Sequence, residues 1–193
     1  MSKLIFVKHS IPEMNSDLPH HEWQLSVEGK DQALKLANQL RSFKVNKFYS
    51  SEERSSIETT YLIASELLKR WEPVQGISHD CQVVTAMKYP KPIWKEKIKQ
   101  FLTMKDHVIL GNETASDVKT RIKLELEKLI SNVGSNEDIC VITSSITMAL
   151  FIEDYSSNQA SELWDGFLEP IIAVIDLDSR RMTKLSTVNA LTR

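Results

Sequence analysis

A histidine placed directly behind an apolar run is the feature of the sequence with the most chemical potential. Leu4-Ile5-Phe6-Val7 reads as a buried strand, and Lys8-His9-Ser10 follows at its carboxyl end. An imidazole at a strand end can attack an electrophile, carry a proton or bind a ligand. Lys8 beside it offers positive charge to an anion. The competing readings are a hydrogen-bonded structural histidine and a solvated lysine. Two further strand ends carry hydroxyls. Ser50-Ser51 follow the short strand candidate Lys47–Tyr49, and Ser144-Ser145 follow Asp138–Thr143. Lys8, Arg54, Ser144 and the amides of a helix opening after Ser144 together form a set able to hold a dianion.

These residues need elements to bring them together. Asp138–Thr143 (DICVIT) and Ile171–Leu177 (IIAVIDL) read as strands buried on both faces, and Lys184–Val188 as an edge strand. Ser26 is the expected N-cap of a helix whose Ala33, Leu36, Ala37 and Leu40 form one buried stripe. Ile57, Tyr61, Ala64 and Leu68 define the expected face of a second helix. Trp94, Ile98 and Phe101 belong to a third, and Val118, Ile122, Leu126 and Leu129 to a long fourth. Met148 and Ile152 lie on a helix that Ser144 or Ser145 would cap. Buried strands separated by helices predict an α/β fold, a three-layer sandwich with a mainly parallel sheet. Ligands of such sheets bind beyond the carboxyl ends of the strands, where the Lys8, Ser50 and Ser144 loops are expected to converge. One domain, 1–193, is expected, with 76–110 as a cap-like insertion over the pocket.

The longer pattern is more specific than any single motif. Leu4-Ile5-Phe6-Val7-Lys8-His9-Ser10 is followed by Trp23-Gln24-Leu25-Ser26-Val27-Glu28-Gly29, by Tyr49-Ser50-Ser51 with Glu58-Thr59, by Gly111-Asn112-Glu113-Thr114-Ala115, and by Val141-Ile142-Thr143-Ser144-Ser145. In this order and spacing the set resembles the histidine phosphatase superfamily, the phosphoglycerate-mutase-like proteins, from Leu4 to about Leu177. The resemblance implies a phosphohistidine at His9, arginines and a second histidine on the phosphoryl oxygens, and a carboxylate that protonates the leaving group. It also implies departures in this chain. Lys8 stands for an arginine, and Ser10 for a glycine. The second arginine position falls on Ser55, with Arg54 adjacent. The second histidine position falls on Ser144. The acid falls within Ser78-His79-Asp80-Cys81-Gln82, on Asp80 or His79, and Glu113 is a further candidate.

Several of these residues also have a purely structural reading. Ser55 and Glu58 have capping-box spacing, and Thr114 and Asp117 the related one. His20 and His21 fall in a polar loop and read as solvated surface. Trp23, Trp94 and Trp164 read as packing anchors.

Composition removes other classes. The 193 residues carry 24 Lys and Arg against 26 Asp and Glu, a formal charge of −2, which lacks the footprint of a nucleic-acid binder. No apolar stretch approaches the roughly 18 residues of a membrane span. Cys81 and Cys140 match no metal spacing and fit a reducing cytoplasm. The chemistry implied requires no metal or organic cofactor. The expected partner is a small phosphorylated molecule, with no nucleic acid and no membrane. Self-association, if any, is expected at apolar residues near Trp164 and Phe167. Two functions follow from the resemblance. One is a phosphatase-like enzyme of impaired turnover acting on a small phosphomonoester through His9. The other is a degenerate member that binds a phosphorylated ligand or a protein partner without catalysis.

Overall fold

Alternation along β1 (Lys3–Lys8) sorts its residues between two cores. Leu4 and Phe6 enter one, Ile5 and Val7 the other, and all four are fully buried. The computed structural model describes residues 2–15, 17–78, 91–132, 134, 136–167 and 169–187. Beside β1 lies β4 (Asp138–Thr143), parallel to it, and on the other side β5 (Ile171–Asp176), antiparallel. With β2 (Val45–Ser50), β3 (Arg70–Pro73) and β6 (Arg181–Thr187) they form one six-stranded sheet in the order β3-β2-β4-β1-β5-β6. β1, β2, β3, β4 and β6 point the same way, and β5 alone runs against them, pairing antiparallel with β1 on one side and β6 on the other.

Helices cover both faces. α1 (Val27–Leu40) and α2 (Arg54–Glu66) pack Leu36, Ala37, Leu40, Ile63 and Ala64 against Ile5, Val7, Cys140 and Ile142. α3 (Lys91–Thr103), α4 (Ala115–Ser131), α5 (Ser145–Ile152) and α6 (Ala160–Asp165) cover the Leu4, Phe6 and Val141 face. The helix starts follow local chemistry. Ser26 Oγ accepts the Gly29 amide at 3.0 Å, and Thr114 with Asp117 forms a reciprocal capping box. α5 is apolar all round and buried on every side. The Asp138 carboxylate accepts the backbone amides of Lys3 and Lys44, each at 2.9 Å, tying the amino ends of β1, β2 and β4 together.

Several expectations need correction. α2 buries Ser56, Thr59, Thr60, Ile63 and Ala64, while Tyr61 and Leu68 are exposed. Its inner face reads as polar, but the hydroxyls of Thr59 and Thr60 donate to the carbonyls of Ser55 and Ser56, each at 2.7 Å. Satisfied in this way, they pack as small residues. Ser55 is not the cap of α2, since the cap position is Glu53, and Glu58 bonds the Leu25 amide instead. Phe167 is buried and Trp164 half-buried, so the surface expected to serve self-association is largely part of the core. Of 76–110, residues 79–90 lie outside the described residues. Ile98, Phe101 and Leu102 of α3 join the main core. No helix among the described residues is long and apolar enough to cross a membrane.

Candidate active site

The carboxyl ends of four neighbouring strands are stitched to one another by hydrogen bonds. The His9 amide donates to Thr143 O at 2.9 Å, and the Ser51 amide to Ile142 O at 2.9 Å. The Val74 amide donates to Ser50 O at 2.8 Å, and Thr143 Oγ1 to Ile77 O at 2.9 Å. These bonds bring the segments after β1, β2, β3 and β4 to one edge of the sheet.

His9 is the centre of that edge. It is 5% exposed, and its Nδ1 lies 2.8 Å from Ser10 O. A carbonyl oxygen only accepts, so Nδ1 carries the proton and the neutral ring keeps its lone pair on Nε2. Burial, together with the charge of Lys8, holds the imidazole down to about 3, so it is neutral at physiological pH. Ser10 fixes the turn on both sides. Its amide donates to Thr59 Oγ1 at 3.0 Å, and its hydroxyl to Gly29 O at 2.6 Å. Gly29 is required there, because a Cβ on it would lie 2.1 Å from Ile11 O.

The expected phosphoryl-holding residues occupy contrasting positions. Lys8 is buried, its Nζ donates to Glu169 O at 3.4 Å, and burial lowers its ammonium to about 8 against the opposing pull of Glu169. Ser144 is buried at the N-terminus of α5 and caps it, its Oγ accepting the Thr147 amide. Ser55 is buried in the first turn of α2. Arg54, one residue earlier, points elsewhere. Its guanidinium donates to Glu58 Oε1 at 3.0 Å and Gln24 Oε1 at 3.3 Å, and it lines a cleft of about 310 Å³ with Glu13, Glu22 and Trp23. One residue of helix accounts for this, as it turns a side chain by about 100°.

The proton-donor candidates differ in what can be described. Asp80 and His79 lie outside the described residues. Glu113 accepts Arg121 Nε at 3.1 Å and a terminal nitrogen at 2.5 Å, and the same guanidinium donates to the carbonyls of Gly76 and Ser78. The visible work of Glu113 is therefore to seat the arginine that clamps the chain leaving β3. Among the described residues, no group of three or more His, Cys, Asp or Glu is arranged to hold a metal ion.

Two residues escaped the sequence reading. Glu53 is 5% exposed, and burial lifts its carboxyl to about 7 despite hydrogen bonds from Ser51 and Ser56. Its position in a Ser-Glu-Glu-Arg run carries no sign of burial. His20 is not solvated surface. Its ring rests on Trp23 with centroids 4.7 Å apart, and burial lowers its imidazole to about 4. The nearby Trp23 was the signal available for it.

Comparison with known families and structures follows the same outline. The family model described as the histidine phosphatase superfamily (branch 1) matches residues 4–187. Comparison with curated proteins gives no match. Among solved structures, a mycobacterial glucosyl-3-phosphoglycerate phosphatase in complex with VO3 superposes with a TM-score of 0.69 at 14% identity, covering 97% of this chain and 98% of that one. A mutant Entamoeba histolytica phosphoserine phosphatase in complex with phosphoserine gives 0.65 at 18% identity, covering 99% and 100%. Bacillus stearothermophilus YhfR gives 0.68 at 15% identity, covering 94% of each chain. At these identities the likeness establishes the fold.

Proposed function

Because the chain belongs to the histidine phosphatase superfamily, we propose that it acts on a small phosphomonoester through a phosphohistidine at His9, with slow turnover. The observation that carries this reading is the Nδ1 contact of His9 with Ser10 O, which leaves Nε2 unprotonated. That nitrogen attacks phosphorus, the bond from phosphorus to the ester oxygen breaks, and the departing alkoxide takes a proton. Water then cleaves the phosphohistidine and releases inorganic phosphate. We assign the phosphoryl oxygens to Lys8, Ser144 and Ser55, helped by the free amides opening α5. We assign the proton to the Asp80 segment, with Glu113 as the second candidate. The solved relatives include phosphatases named for glucosyl-3-phosphoglycerate and for phosphoserine, and from them we carry over only the class of small phosphomonoesters.

Slow turnover follows from the charge count. Serines at 55 and 144 bring hydroxyls where the family brings cations, and Arg54 is engaged by Glu58 and Gln24. Each charge-assisted bond lost from the transition state is worth about 1.5–3 kcal/mol, or roughly one to two orders of magnitude in rate. The same observation favours a second reading, a member that binds a phosphorylated ligand without turning it over.

Phosphate release from a panel of phosphomonoesters tests both. Release abolished by His9→Ala and raised by Ser144→His is the expected result. Release that persists in His9→Ala overturns the phosphohistidine reading. Ligand binding with no release in the wild type or in Ser144→His selects the second.

A further inference from the structure

The turn that carries His9 is pinned at four points. The His9 amide donates to Thr143 O at 2.9 Å, and Ile11 O accepts the Ser26 amide at 3.0 Å. Between them, the Ser10 hydroxyl donates to Gly29 O at 2.6 Å, and the Ser10 amide to Thr59 Oγ1 at 3.0 Å. These bonds fix the peptide on each side of Ser10 as well as its side chain. The direction of the Ser10 carbonyl is thereby set, and its oxygen meets His9 Nδ1 at 2.8 Å.

In three of the four bonds the partner is a main-chain atom, supplied whatever residue occupies the position. In the fourth it is the side chain of Thr59. That residue is fully buried, and its oxygen is used twice. Its one proton goes to Ser55 O at 2.7 Å, a turn earlier in α2, so the oxygen faces the Ser10 amide as an acceptor. A threonine that merely packs inside a helix makes only the first of these bonds. The second spans 49 positions of sequence and ties α2 to the turn of His9. One hydroxyl therefore joins that turn to Ser55, the residue assigned above to a phosphoryl oxygen.

We propose that Thr59 is a positioning residue for His9: by holding the Ser10 peptide, its hydroxyl keeps the Ser10 carbonyl on Nδ1 and the Nε2 lone pair free for phosphorus. This inference rests on the phosphohistidine reading of His9 and names the side chain that maintains it. Which ring nitrogen of a histidine carries the proton is decided by the hydrogen bond the other makes. Without the Thr59 oxygen the buried Ser10 amide loses its acceptor, and the peptide turns to find another. The Ser10 carbonyl moves with it, and the ring proton redistributes to Nε2, where it blocks attack.

The test is nitrogen NMR of the histidine rings in the full chain, with phosphate release measured alongside. Thr59→Val keeps the shape of the side chain and removes the hydroxyl, and Thr59→Ser restores a hydroxyl. The expected result is a single His9 tautomer in the wild type, protonated on Nδ1, and both tautomers in Thr59→Val. In that variant kcat falls about tenfold or more while KM stays within about twofold. Thr59→Ser returns to the single tautomer and recovers most of kcat. A folded Thr59→Val protein whose His9 is still protonated on Nδ1 alone overturns this inference and leaves the His9 reading standing. A wild type protonated on Nε2 overturns both. The tautomers decide the role of Thr59 even where no member of a substrate panel is turned over. Should Thr59→Val fail to fold, Thr59→Ser and Thr59→Ala, which differ from each other by one hydroxyl, take its place. Both tautomers in Thr59→Ala and one in Thr59→Ser support the inference, and the same tautomers in the two variants overturn it.

Discussion

Replacing Glu53 by glutamine is expected to stabilise the protein increasingly as the pH rises. The carboxyl is buried at the start of α2, and burial raises it from an ordinary 4.5 to about 7, against the hydroxyls of Ser51 and Ser56. Below 4.5 both folded and unfolded chains carry the proton, and the group contributes no pH dependence. Between 4.5 and about 7 the folded chain holds its proton while the unfolded chain releases it, so stability falls as the pH rises. Above about 7 the folded chain carries a buried carboxylate and the full loss is present. At about 1.36 kcal/mol per pH unit the gap corresponds to roughly 3 kcal/mol. Glutamine has nearly the same shape, keeps an oxygen for one serine hydroxyl and cannot ionise. Urea denaturation of wild type and Glu53→Gln from about pH 5 to pH 9 measures the difference. The expected advantage of the variant grows by about 2–3 kcal/mol over that range. An advantage that is flat with pH, or a variant less stable at pH 9 than wild type, refutes the reasoning, because either result means that Glu53 is not held neutral by burial.

Three further outcomes follow from the same geometry. Lys8 is lowered to about 8 by burial, so its proton is lost as the pH rises through that value. Orthovanadate binding is therefore expected to weaken above about pH 8 in the wild type, and Lys8→Met should bind more weakly throughout and lack that alkaline limb. Gly29→Ala places a Cβ 2.1 Å from Ile11 O and is expected to cost about 1–3 kcal/mol in urea denaturation, although alanine is the better helix former by about 1 kcal/mol. Leu68 ends α2 at φ 54 with 92% of its surface exposed, so Leu68→Gly should raise stability by about 1 kcal/mol, read as a higher melting temperature.

What could be read beforehand divides along physical lines. β1, β4 and β5 were legible because strands buried on both faces must be continuously apolar, as in LIFV, CVIT and IIAVI. β3 was not, since Arg70-Trp71-Glu72-Pro73 lies at the sheet edge, mostly exposed, and its identity as a strand comes from pairing with β2. The inner face of α2 was hidden because its serine and threonine hydroxyls bond their own helix, which makes buried residues look polar. His9, Lys8 and Ser144 could be placed at strand ends from the sequence, because the element before each was clear. The direction of Arg54 depended on where α2 starts, a single residue that local spacing did not decide. The burial of Glu53 and the partial burial of His20 come from how the chain packs around them, which residue type and local spacing do not show.

The central claim is that His9 accepts a phosphoryl group. It is tested most directly by incubating the full chain with a panel of small phosphomonoesters labelled on phosphorus, quenching in alkali and mapping the label. The account predicts label on the peptide containing His9, stable in alkali, released by acid and absent from His9→Ala. Label retained in His9→Ala, or a wild type that releases phosphate without ever carrying label on His9, contradicts it.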